Sequence, residues 1–117
     1  MSRIVNVGSR NYTQVVCLDS PGQGNACHEY EIQNAEGDKS LGLVSFQNGP
    51  INEAGVNGVH NEDLIAIVID RMQGFQSGEY KCRENALALT KLEEALLWLR
   101  KRTQDRIDRG VEGTHVV

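Results

Sequence analysis

Apolar and polar positions follow different rhythms in the two halves of the chain. The first half has the period of strands. Ile4-Val5-Asn6-Val7 and Tyr12 to Leu18 are rich in β-branched residues, and "HEYEIQ", His28 to Gln33, alternates with Tyr30 and Ile32 on one side. "AEGD" then turns, with Gly37 available where such loops need φ > 0. "SLGLVSFQ" returns with Leu41, Leu43 or Val44, and Phe46. These features predict an antiparallel hairpin. "DSPGQGN", Asp19 to Asn25, reads as a turn-rich loop, and "NGPINEAGVNG", Asn48 to Gly58, as a connection rather than an element.

The second half has the period of helices. Asn61 is a suitable N-cap, with Glu62 and Asp63 in the first turn, and Leu64, Ile65, Val68, Ile69, Met72 and Phe75 fall on one face. "GFQSGEYKC" ends this helix. A longer one is predicted from Arg83 to Arg109, about 40 Å at 1.5 Å per residue. Its main stripe is Leu89, Leu92, Leu96, Leu99, Thr103 and Ile107, and Leu87 and Trp98 lie roughly opposite. A helix with two apolar faces must pack on two things, and two helices alone seldom make an adequate core. The reading is an α+β chain with a β portion over 1–58 and a helical hairpin over 59–117. Together they form one compact domain, and that domain is homo-oligomeric.

Composition narrows the function. A length of 117 residues suits one domain, and a mean hydropathy of -0.41 fits helices with much exposed surface. The formal charge of -4 argues against duplex nucleic acid, whose affinity depends on neutralising many phosphates. A small anion needs only a local cluster, and Arg100, Lys101, Arg102, Arg106 and Arg109 crowd into one short segment. The cysteines Cys17, Cys27 and Cys82 are odd in number and widely spaced, with no C-x-x-C, as expected of free thiols in a reducing compartment. No signal peptide or membrane-length apolar run is legible, so a soluble cytoplasmic protein is expected.

The arginines carry the most chemistry. Arg102, Arg106 and Arg109 are spaced i, i+4, i+7 and share one side of the helix end. Dipole compensation is one role for them, and a phosphate pocket completed by the Gly110-to-Thr114 segment is another. Phe75 is either core or a stacking platform for a base. Asn85 either bonds local backbone at a helix start or reads a purine edge with its paired donor and acceptor. The histidines His28, His60 and His115 show no metal-ligand spacing, and no ordered nucleophile, P-loop or nucleophile elbow occurs. The chemistry on view is binding without turnover, and neither a metal nor a cofactor is expected.

The segment "NEDLIAIVIDRMQGFQSGEYKCRENALALTKLEEALLWLRKRTQDRIDRGVEGTH", Asn61 to His115, resembles the helical hairpin of phage-encoded immune sponges. The anti-Thoeris sponges sequester glycocyclic ADP-ribose, and the anti-CBASS sponges share the hairpin and sequester cyclic oligonucleotides. "CRENALALTKLEEAL" and "RGVEGTH" carry the resemblance, and the β portion with "YEIQNAEGDKSLG" and "FQNGPINEAGVNG" resembles the anti-Thoeris type. The resemblance implies a dimer or a trimer of dimers in the cytoplasm of an infected bacterium. It implies binding of a cyclic ADP-ribose isomer and, in some members, of cyclic dinucleotides or trinucleotides in a separate pocket. It also implies that Phe75 stacks on adenine, Asn85 bonds it, and Arg102, Arg106 and Arg109 lie near phosphates. Gly113 and Thr114 would close a pocket at a subunit junction, and Asn48, Gly49 and Pro50 are further binding candidates. The rival readings are an enzyme hydrolysing the same nucleotide and a helical-hairpin oligomer with no ligand.

Overall fold

A computed structural model describes residues 2–8 and 11–117. The chain divides into two units, one running up to Val59 and the other from His60.

The first unit is a four-stranded antiparallel sheet in the order β1-β2-β3-β4. The strands are β1 (Arg3–Ile4), β2 (Thr13–Cys17), β3 (Glu29–Asn34) and β4 (Ser40–Ser45). The first apolar run yields less strand than its composition predicts: β1 ends at Ile4, one further bond joins Val5 N–H to the Val15 carbonyl at 2.9 Å, and Val7 is exposed. The β3–β4 hairpin decides the face left open by sequence. Tyr30 pairs with Val44 and Glu31 with Leu43, so Val44 joins Tyr30 while Leu43 lies exposed on the other face. The register then shifts, with Ile32 opposite Gly42 and Gln33 opposite Ser40, so the ladder skips Leu41. Tyr30 meets Phe46 edge-to-face at 5.8 Å.

The loop from β2 to β3 is anchored by Asp19. Its carboxylate accepts the backbone N–H groups of His28 (3.0 Å) and Glu29 (3.3 Å). These amides, His28 foremost, hold the Asp19 carboxyl below the usual carboxylate range. Cys17 is fully buried, and burial pushes its thiol upward.

The connection over 48–58 is more ordered than its glycines suggest, for it contains the short helix α1 (Ile51–Ala54). Side-chain amides brace it. Gln47 Nε2 donates to the carbonyls of Gly49 (3.1 Å) and Gly55 (2.7 Å), and Asn57 exchanges two bonds with the Asn48 backbone. Gly58 is required by close approach: a Cβ there would lie 2.4 Å from the Phe46 carbonyl carbon. That closeness lets Phe46 and Val59 form a parallel bridge.

The second unit is a hairpin of α2 (Asn61–Gln76) and α3 (Arg83–Asp108) packed on each other. The cap of α2 is His60 rather than Asn61, and its backbone N–H is received by Asp63 at 2.8 Å. The buried stripe of α3 also differs at its end. Leu89, Leu92, Leu96, Leu99 and Thr103 are half-buried or buried, but Arg106 is buried and Ile107 is exposed. The alternating steps of three and four that begin at Leu89 lead to position 106, and the chain places a charge there. Leu87, Leu97 and Trp98 remain exposed in the single chain.

Candidate functional site

The C-terminal end of α3 is built on a helix-ending motif. Gly110, at φ 73, donates to the Ile107 carbonyl at 2.9 Å, and Val111 donates to the Arg106 carbonyl at 3.0 Å. This bond pair turns the chain sharply at a left-handed residue. A second turn follows. Thr114 N–H bonds the Val111 carbonyl at 3.1 Å, with Gly113 at φ 80 in the third position of that turn. The Thr114 hydroxyl also donates to the Val111 carbonyl and accepts from Val116 N–H at 3.2 Å.

Arg106 holds this hook. Nε donates to Glu112 (3.1 Å), Nη1 to the Val116 carbonyl (2.7 Å), and Nη2 to the carbonyls of Val111 (3.0 Å) and Thr114 (3.1 Å). Four of its five N–H donors are therefore engaged inside the chain. The sequence suggests a free phosphate ligand at this position. The structure shows a buried guanidinium that organises the tail. Glu112 is the partner the sequence reading passed over. The carbonyl acceptors leave no trace in side-chain identity, so only the fold reveals them.

Arg102, Asp105, Arg106, Arg109 and Val117 line a pocket of about 440 Å³. Arg102 is exposed and has no hydrogen bond or ion pair with the described residues, and Arg109 Nη1 donates to the Val117 carbonyl at 3.0 Å. Asp105 lies on the wall instead of pointing away, but Lys101 pairs with it at 3.1 Å. Arg106 is paired with Glu112. Among the described residues, those pairings leave Arg102 without a partner and Arg109 held only by the Val117 oxygen at a concave surface, which suits a small anion.

Phe75 and Asn85 stand at the other end of the hairpin. Phe75 is half-buried near the end of α2, with the Arg71 guanidinium 5.0 Å from its ring centroid and Tyr80 at 6.2 Å. Asn85 takes the helix-start arrangement. Its N–H bonds the Cys82 sulfur at 3.4 Å, and its side-chain amide reaches the Tyr80 carbonyl only loosely, at 3.5 Å. Along the single helix α3, Asn85 and Arg106 are about 30 Å apart at 1.5 Å per residue. Within one chain, the aromatic group and the arginines do not meet. Asn48, Gly49 and Pro50 belong to the braced loop of the first unit, where Pro50 supplies its carbonyl to Glu53 and Ala54.

The sequence has relatives. Residues 42–104, more than half of the chain, match the family model described as Acb2/Tad1, hairpin domain. The chain belongs to this family. The Acb2/Tad1 match takes in Phe75, Asn85, Arg102 and the Asn48-to-Pro50 loop, while Arg106, Arg109, Gly113 and Thr114 lie past its end. A relative from Bacillus phage SBSphiJ7, named Thoeris anti-defense 1, is 56% identical over 94 residues, which is 80% of this chain. The match spans 65% of that relative's own length, just under two thirds.

Proposed function

We propose that this Acb2/Tad1-family chain is a phage anti-defence sponge. In this reading it binds glycocyclic ADP-ribose, the cyclic nucleotide signal of the Thoeris system, in the cytoplasm of the infected bacterium and withholds it without cleaving it. The observation that carries the reading is the pocket at the end of α3, where, among the described residues, Arg102 stands without a partner and Arg109 is held only by the Val117 oxygen, beside a tail fixed by Arg106. Its volume of about 440 Å³ lies in the range of small-ligand sites. A pyrophosphate brings two close negative charges, and two guanidinium groups can meet them with charge-assisted hydrogen bonds. The name of the Bacillus phage relative supports the same reading.

The aromatic end has a complementary part. In this reading a base stacks on the half-buried Phe75 ring, and Asn85 exchanges its loose backbone contact for a base edge. Because the two ends are about 30 Å apart in one chain, they serve either one nucleotide held between copies or two ligands in separate pockets. The second arrangement admits cyclic dinucleotides or trinucleotides beside the ADP-ribose isomer. Both fit a homo-oligomer, a dimer or a trimer of dimers, that covers the exposed Leu87, Leu97 and Trp98.

The test is to incubate the protein with each cyclic nucleotide, denature it by heat and identify what is released. Intact ligand is the expected product. Ring-opened ADP-ribose would assign the chain to hydrolysis, and no retained nucleotide of any class would leave a ligand-free oligomer.

A further inference from the structure

A second cluster of chemically capable groups lies in the first unit. No linear metal-ligand spacing marks it, because its members are separated by the β2–β3 loop. Folding brings together the Cys17 sulfur, the Cys27 sulfur and a carboxylate oxygen of Asp19, all within 4.8 Å of one another. Cys17 is fully buried at the end of β2, and Cys27 is half-buried just before β3. We infer that Cys17, Asp19 and Cys27 form a binding site for a thiophilic divalent cation of the zinc class.

Four observations support the assignment. The ligand atoms are already near the spacing that tetrahedral coordination needs, since zinc–sulfur bonds of about 2.3 Å place two sulfurs about 3.8 Å apart. Both thiols turn toward Asp19: Cys17 Sγ lies 3.3 Å and Cys27 Sγ 3.6 Å from its carbonyl oxygen, and Cys17 Sγ lies 3.6 Å from Oδ1. The carboxylate is oriented from behind by the amides of His28 and Glu29, the kind of outer support that fixes a metal ligand. The charges also balance. Two thiolates and a carboxylate around a divalent ion carry one net negative charge, and the Arg3 guanidinium, 3.8 Å from Cys27 Sγ, offsets it. Three protein ligands leave the fourth tetrahedral position to water. Binding releases the two thiol protons to solvent and involves no redox change.

The loop that would carry the ion is held in shape independently. Gly22 N–H bonds the Ala26 carbonyl at 2.8 Å, Asn25 N–H bonds the Gly22 carbonyl at 2.9 Å, and Leu18 N–H bonds the Glu29 carbonyl at 2.8 Å. These bonds keep Cys27 close to Cys17 before any ion arrives. The site is independent of the sponge reading and stands or falls without it.

The experiment titrates the reduced chain with Co²⁺ without oxygen and follows its absorbance. One ion per chain should produce a thiolate-to-cobalt charge-transfer band in the near ultraviolet and tetrahedral bands in the visible, both abolished by Zn²⁺. Cys27→Ser should remove most of the charge-transfer intensity. Asp19→Asn keeps an oxygen for the two amides but loses the charge, and should weaken cobalt binding by roughly tenfold or more. Cys82→Ser should leave the spectrum unchanged. Cys17→Ser is informative only if it folds, and the half-buried Cys27 carries the test if it does not. A reduced wild-type chain without the band overturns the proposal. So does a band that survives Cys27→Ser, unweakened binding in Asp19→Asn, or loss confined to Cys82→Ser.

Discussion

The two ends of the α2–α3 hairpin hold their functional side chains in opposite ways. At the tail end, Arg106 is buried and committed to Glu112 and three carbonyls, and beside it, among the described residues, Arg102 has no partner and Arg109 bonds only the Val117 oxygen. At the turn end the backbone is braced by Gln76, which bonds both the N–H and the carbonyl of Cys82, but the two candidate side chains are held more loosely. Phe75 has an arginine on one side, and Asn85 makes a long contact to a backbone oxygen. Under the proposed function the first end would take charge and the second a flat, neutral group. That difference separates a residue that builds the surface, Arg106, from residues proposed to touch a ligand.

The strongest way to break the comparison is at Arg106. Arg106→Ala leaves Glu112 and three tail carbonyls without their donor. The cost should be roughly 2–4 kcal/mol, below the full value for a buried pair because Glu112 is partly exposed. Thermal melting and amide exchange over 111–117 measure it. Arg106→Lys should recover only part of the loss, since one ammonium cannot span four acceptors. A tail as protected in Arg106→Ala as in the natural chain would mean the hook is held by its turns alone.

Arg102→Ala sharpens the comparison from the other side. It should weaken binding of the cyclic nucleotide by tenfold to a hundredfold, or roughly 1.5–3 kcal/mol, while the melting temperature stays nearly constant. Calorimetric titration beside melting curves reads both. Wild-type affinity in both Arg102→Ala and Arg109→Ala would reduce these arginines to dipole compensation at a helix end.

At the turn end, Phe75→Ala should cost ~1–3 kcal/mol of nucleotide affinity through lost stacking. Phe75→Leu separates stacking from packing. If it restores the melting temperature but not the affinity, the ring is a platform. If it restores both, the ring is only core.

The smallest effect is a control outside both ends. The Asp19 carboxyl lies below its unfolded value, so its contribution is complete above about pH 4 and is lost as pH falls through the lower folded value. The natural chain should therefore be more stable than Asp19→Asn near neutrality, and acid should remove that difference by loosening the natural chain more. Equal acid sensitivity in both, followed by far-ultraviolet circular dichroism, would show that the His28 and Glu29 amides do not depend on that charge.

Much of this architecture was legible beforehand, and the exceptions share a cause. The span of α3, the β3–β4 hairpin and its turn, and the grouping of Arg102, Arg106 and Arg109 follow from short-range periodicity and turn chemistry. The burial of Arg106 is not legible, because apolar preference favours Ile107 over a charge on the buried stripe. The charge is tolerated there because the tail, five to ten residues onward, folds back to bond it. The α1 turn hid among glycines because its support comes from Gln47 and Asn57, which flank it.

Sequence alone determined the local elements, because helix and strand periods and the left-handed preference of glycine act within a few residues. It also determined the family, through motifs long enough to be specific. Tertiary structure decided which polar groups remain available. It engaged Arg106, released Arg102, put Asp105 on a pocket wall beside Lys101, and brought Cys17 and Cys27 to Asp19 across a loop. The reason is that a hydrogen bond or an ion pair depends on distance in space, and backbone carbonyls, the commonest partners here, are the same in every residue.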